Sequence, residues 1–199
     1  MPNPTPTALA TLAGVLLCWI RFITVFAFRK NPGKPQEAKR NKAAFDGVVL
    51  QMLGYGSTFF QPPRHAFLPP VAALAGVAGV VYGVCTVAIA AGSVWLIAAA
   101  VRRLGKQWAI AARLVEGHNL ITDGPYSVVR NPIYVAIFGM LIATGLAFEH
   151  WIGMALGLVP FVLGTLIRVR AEEKLLRATF GEEFEDYAAR VPALVPGIY

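Results

Sequence analysis

Two polar segments of this chain carry residue types and spacings capable of chemistry. The first contains His118-Asn-Leu-Ile-Thr-Asp-Gly-Pro-Tyr126 and then Arg130-Asn-Pro-Ile-Tyr134; the second, about 34 residues beyond Tyr134, contains Arg168-Val-Arg-Ala-Glu172-Glu173. Arg168 and Glu172, four residues apart, share one helix face, whereas Glu173 points about 100° away. A pair of this kind presents a cation to the negative head of one ligand and a carboxylate to the ammonium of another. The same spacing also serves an ordinary surface salt bridge, which is individually weak.

In the first segment, Asp123-Gly124-Pro125 is a turn signal: Gly permits positive φ, Pro fixes the next φ, and Asp can satisfy a backbone donor. Arg130-Asn131-Pro132 then reads as a helix start, with Asn as cap and Pro at the first helical position. The free amides of such a start can meet a carboxylate or phosphate, or simply begin a capped membrane helix. His118 lies in a polar loop, as a hydrogen-bonding loop residue or a ligand group. Tyr126 and Tyr134 can hold the rim of a pocket or anchor an interface. Arg130 suits a substrate carboxylate or a lipid phosphate equally.

The elements that must position these residues are apolar helices. Hydrophobic residues form 56% of the 199 and charged residues only 15%, with a mean hydropathy of +0.57, against a charged fraction of about a quarter in soluble domains. Pro69 to Val101 is 33 residues without a formal charge, read as one long helix bent or closely packed at Gly76, Gly79, Gly83 and Gly92. Leu9 to Phe28 is apolar apart from Arg21, and Ala43 to Phe60 is weaker, with Asp46 and Gln51. Pro132 to Phe148 and Trp151 to Ile167 flank the short Glu149-His150 break and should form an antiparallel hairpin. The expectation is an all-α integral membrane protein with five transmembrane helices and a single domain over residues 1–199. Beyond the last span, Leu175, Leu176 and Phe180, then Gly181 and Glu182 to Tyr187, read as helix, turn and short amphipathic helix on the bundle's cytoplasmic face, ended by Pro192 and Pro196.

Charge orients this bundle. Of 18 Lys and Arg residues, six fall in Arg29 to Lys42, five between Arg102 and Arg130, and five from Arg168 onward. Five spans bring these clusters to one side, which the positive-inside bias makes the cytoplasm, with the N-terminus outside and the C-terminus inside. Topology and anionic lipids therefore account for the basic charge, and nucleic acid is not an expected partner, since no basic stretch is interleaved with base-stacking aromatics. The N-terminal run reads as an ordinary first helix or signal-anchor, because no basic residue precedes it. Arg21 is expected to snorkel, pair (Asp46 is a candidate) or meet a lipid head. Cys18 and Cys85 lie in apolar spans without ligand-like spacing, so inert packing is expected. The acids of Glu182 to Asp186 form a solvated face, and no metal is expected.

Taken together, the His118 to Tyr126 segment, Arg130-Asn-Pro-Ile-Tyr134, and Arg168-x-x-x-Glu172-Glu173-x-x-Leu176-x-x-x-Phe180-Gly-Glu-Glu-Phe-x-x-Tyr187-x-x-Arg190-Val-Pro192 resemble the isoprenylcysteine carboxyl methyltransferase family, including its prokaryotic relatives and the related phospholipid methyltransferases. The resemblance covers about Gly105 to Pro196 and implies a cofactor-binding and catalytic core over 105–196. It implies an S-adenosylmethionine-dependent methyltransferase of the prokaryotic cytoplasmic membrane, its cofactor site cytoplasmic, acting on a lipophilic acceptor that arrives from the bilayer among membrane lipids. The acceptor could be the carboxylate of an isoprenylated cysteine. By the same resemblance His118, Asn119, Leu120, Ile121, Tyr126, Asn131, Pro132, Ile133 and Tyr134 enclose the cofactor and Glu172 holds it. Arg168 faces the acceptor, with Arg130 a second substrate-binding candidate. Arg168 and Glu172 are the catalytic candidates. Asn131 departs from the histidine usual in the family's motif: it can still donate and accept hydrogen bonds but cannot become cationic, which bears on cofactor binding and on any histidine-dependent proton step. An NADPH-dependent relative of the sterol reductases and a noncatalytic membrane protein are the alternatives; the first lacks an obvious glycine fingerprint here.

Overall fold

The structure, a computed structural model, describes residues 5–27, 42–59, 76–105, 119–148 and 151–195. His118 and the Glu149-His150 break lie outside the described residues. Among the described residues six helices follow in order: α1 (Pro6–Ala27), α2 (Lys42–Phe59), α3 (Val77–Leu104), α4 (Pro132–Ala147), α5 (Trp151–Phe180) and α6 (Glu182–Arg190), with a 3-10 turn at Gly124–Ser127 before α4.

The expected five spans are corrected to three. Among the described residues, α1, α3 and α5 from Ile152 to Phe180 are long and apolar enough to cross a membrane. The 16 residues of α4 rise only about 24 Å against a hydrocarbon core of about 30 Å. Lys42, Asp46 and Gln51 lower the hydropathy of α2. Apolar side chains of the three long helices, among them Leu17, Ile20, Val84, Trp95, Leu156 and Val159, are exposed, which suits lipid and not water. These spans support an integral membrane protein.

Contacts set the helix directions. Thr11 meets Gly83, and Val87 meets Gly14, so α1 and α3 run parallel. The hydroxyl of Tyr82 donates to the Leu146 carbonyl at 2.8 Å and Ser93 meets Gly139, so α4 returns antiparallel to α3. The antiparallel α4–α5 pair agrees with the expected hairpin: Gly145 meets Met154 at one end and Tyr134 meets Glu172 at the other. Helix α4 is central and touches α1, α2, α3 and α5. Its core partners include Val15, Ile97 and Val101. Trp19 Nε1 donates to Thr144 Oγ1 at 2.9 Å, and the Tyr55 hydroxyl to the Ile137 carbonyl at 2.6 Å, so polar atoms inside the bundle find partners across helices.

The closest seam is between α2 and α5, which run antiparallel. A Cβ on Gly47 would lie 2.8 Å from the Gly164 carbonyl oxygen, and one on Gly164 would lie 2.5 Å from that of Gly47. Gly54 and Gly157 repeat the arrangement two turns away, at 2.7 and 2.5 Å. Four positions without side chains therefore let the two backbones touch.

Helix α5 continues as one element well past Ile167, carrying Arg168 and Glu172 beyond its apolar stretch. Gly181 adopts φ +53, a left-handed conformation that ends α5 and turns the chain into α6. The expected helix, turn and short helix are therefore present. Because α1, α3 and α5 are parallel, their C-terminal ends, the start of α4 and all of α6 gather at one end of the bundle.

Candidate functional site

The centre of that end is a cluster from α2, α4 and α5. Tyr134, in the first turn of α4, donates its hydroxyl proton to Glu172 Oε1 at 2.5 Å. Arg168 Nη2 approaches the same oxygen at 3.4 Å, so α5's i,i+4 pair is joined by a third group. Glu172 Oε2 accepts no hydrogen bond from the described residues, and the side chain is 27% exposed. The Arg168 guanidinium carbon lies 5.2 Å from the centroid of the Tyr134 ring, a cation–π distance. From α2, Gln51 Oε1 accepts from Arg168 Nη1 at 3.4 Å, while Gln51 Nε2 donates to Thr165 Oγ1 at 2.9 Å.

One position along α5, the geometry is different. Glu173 is 6% exposed and accepts from Arg130 Nε at 2.9 Å. Arg130 Nη1 donates onward to the carbonyls of Ala188, at 3.0 Å, and Val191. The backbone N–H of Arg130 donates to the Pro192 carbonyl at 2.8 Å, and that of Asn131 to Ala193 at 3.1 Å. The segment after α6 is thereby strapped onto the loop before α4. Arg177 closes the outside, 3.6 Å from Glu173 and 2.8 Å from Glu185.

Asn131 precedes α4, but its side chain makes no capping hydrogen bond. It donates instead to the Ala193 carbonyl at 3.1 Å and reaches Glu173 Oε1 at 3.5 Å. The long-range strap outcompetes the local cap. Pro132 does occupy the first helical turn. Asp123, expected to serve the turn, pairs its carboxylate with Arg103 at 2.8 Å, while its carbonyl accepts from the Tyr126 N–H.

The sequence candidates thus divide by location. Tyr134, Arg168 and Glu172 meet directly; Arg130 and Asn131 meet at Glu173. Tyr126 is buried, and its carbonyl accepts from the Tyr187 hydroxyl at 2.6 Å. Burial pushes the Tyr187 phenol up to about 12, so it remains a donor throughout neutral pH. Pro132 is fully buried and Ile133 packs on the core. Asn119, Leu120 and Ile121 lie in the stretch without regular secondary structure before the turn; Leu120 and Ile121 share no hydrogen bond with the Glu172 cluster. Arg21 is exposed, and no ion pair joins it to Asp46 among the described residues. Among those residues no group of three or more His, Cys, Asp or Glu side chains converges as a metal site.

Gln51 and Glu173 are the contributors that sequence reasoning missed. Gln51 shows only as a polar residue in an apolar run, and that anomaly was the available signal. Glu173 offered none, since its partner is 43 residues away.

Residues 79–183, more than half the chain, match the family described as Phospholipid methyltransferase. The chain belongs to that family. This family member is similar to the nickel-cobalt-cadmium resistance protein NccN of Alcaligenes xylosoxydans xylosoxydans, 34% identical over 107 residues, which are 52% of this chain and 49% of that protein. It is also similar to the protein-S-isoprenylcysteine O-methyltransferase of Schizosaccharomyces pombe, 30% identical over 87 residues, 44% of this chain and 37% of that one. The cobalt-zinc-cadmium resistance protein CzcN of Cupriavidus metallidurans is 32% identical over 96 residues, 47% and 43% of the two chains. The phospholipid methyltransferase family member thus spans about half, or less, of the length of these curated relatives.

Proposed function

We propose that this protein is an S-adenosylmethionine-dependent membrane methyltransferase acting on a lipid-like acceptor, with a prenylcysteine-type carboxylate among the candidate acceptors. Family membership supports the reaction class. The observation that carries the site is Glu172: a carboxylate at the bundle end, steadied on one oxygen by Tyr134 and Arg168 while its second oxygen accepts from no described residue. An open carboxylate oxygen is an acceptor suited to the α-ammonium of an amino-acid-bearing cofactor.

When bound, S-adenosylmethionine supplies an electrophilic methyl on a sulfonium, so the protein has mainly to align the reactants and exclude water. Glu172 holds the ammonium, and Tyr134 fixes the Glu172 rotamer. His118 to Ile121, Tyr126 and Asn131 to Ile133 enclose the cofactor, on the strength of the family resemblance. Arg168 orients an anionic acceptor head, and a carboxylate so held is a nucleophile without prior deprotonation. Arg130, engaged by Glu173 and the strap, supports the loop bearing Asn131; this replaces the expected substrate contact. The cofactor side faces the cytoplasm and the N-terminus lies outside, because Arg102, Arg103, Arg168, Arg170, Lys174 and Arg177 gather at the common end of the three long helices.

Calorimetry of the detergent-purified protein with S-adenosylmethionine, and NADPH in parallel, tests this reading. Saturable binding of the methyl donor alone is expected; binding of NADPH alone, or of neither to a folded protein, would discard it.

A further inference from the structure

Helix α2 lies outside the family match, which begins at residue 79, yet it touches the candidate site at two positions one turn apart. Gln51 is 4% exposed and its amide is spoken for at both ends: Nε2 donates to Thr165 Oγ1 at 2.9 Å, which aims Oε1 at Arg168 Nη1, 3.4 Å away. A flip would turn the amide NH2 onto a guanidinium that only donates, so the Arg168 contact fixes which way this buried amide points. At Gly47 an added Cβ would come 2.6 Å from Arg168 Cγ, so the aliphatic stem of Arg168 lies directly on the α2 backbone. The Tyr134 ring lies against the guanidinium. Arg168 is thus bracketed by two other helices before any ligand arrives.

We propose that α2 sets the acceptor charge preference of this site: Gln51 is a positioning residue that holds the Arg168 guanidinium with a neutral partner, on the bare backbone at Gly47, so that the site prefers an acceptor with an anionic head. The inference rests on the proposed role of Arg168 toward the acceptor and goes further by naming what governs it. Glu172 already places one carboxylate beside the guanidinium and divides the oxygen concerned between Arg168 and Tyr134. A second carboxylate at position 51 would cancel the attraction for an incoming anion; an amide orients the cation without cancelling it.

The test uses the full-length detergent-purified protein and a fluorescent pair of equal shape, cis-parinaric acid and its methyl ester. The unaltered protein should bind the acid more tightly than the ester. Gln51→Glu should lower that acid-to-ester preference by about tenfold or more, through repulsion of the carboxylate, with ester affinity unchanged. Gln51→Leu, which keeps the buried volume without charge, should lower the preference by about threefold through loss of orientation. Ester binding reports folding in every variant, and the Leu variant decides the matter if the Glu variant does not fold. An unchanged acid-to-ester ratio in the folded variants, or no preference for the acid in the unaltered protein, overturns the proposal. Calorimetry with S-adenosylmethionine keeps the two readings apart: donor binding with an unchanged ratio defeats the role of Gln51 alone, whereas a shifted ratio without donor binding defeats the methyltransferase reading alone.

Discussion

Glu172 and Glu173 are neighbours on α5 in contrasting surroundings. Glu173 is almost fully enclosed, with Arg130 at 2.9 Å and the strap after α6 folded over the pair. Glu172 is partly open, its contact with Arg168 is a long 3.4 Å, and one oxygen is without a described partner. A rotation of about 100° per residue separates the two environments. The adjacent acids are therefore not interchangeable copies: one closes the structure around the site, and the other keeps an oxygen open, as the proposed cofactor contact requires. Enclosure with both oxygens engaged marks the first role, and a partly exposed side chain with one oxygen open marks the second.

Mutations that exchange these roles should sharpen or break the contrast. The largest effect is expected from Glu173→Gln, which leaves Arg130 enclosed without its counter-charge and should cost about 3–5 kcal/mol of stability. Detergent-phase unfolding should show it, and a loss under about 1 kcal/mol would mean that the Arg130 pair is not a structural clamp. Glu172→Gln should leave unfolding nearly unchanged but weaken S-adenosylmethionine binding by about 1.5–3 kcal/mol, on the order of ten- to a hundredfold in Kd. Equal destabilisation by the two variants would erase the distinction. Tyr134→Phe removes only the hydroxyl that steadies Glu172 and should weaken donor binding by about 1 kcal/mol; calorimetry showing no change would detach Tyr134 from the site. Arg177→Ala should matter least, at most about 1 kcal/mol in unfolding, because Arg177 and Glu185 are 44% and 58% exposed and solvent screens them.

Much of this architecture is legible as hydropathy and turn chemistry. The α4–α5 hairpin, the Gly181 break and the short amphipathic α6 follow from local patterns, and Arg168 with Glu172 follows from helical spacing. The span count failed at its two marginal segments: α4 is too short, and α2, already the weaker run for Asp46 and Gln51, also begins at Lys42. The strap was not legible, since its ties run between backbone groups such as Arg130 N and the Pro192 carbonyl, and backbone atoms leave no residue-specific trace. Asn131 shows the same limit, its cap preference overridden by acceptors 42 and 62 residues away.

A helix pinned to its neighbour at one point can swivel about it; pinned at two, it cannot. Gly47 on Gly164 and Gly54 on Gly157 are two such pins, about 10 Å apart along the axis, and they make α2 and α5 one stiff plank. On the proposed function, an acceptor tail would therefore have to enter elsewhere in the bundle, leaving the plank that bears Gln51, Arg168 and Glu172 in place.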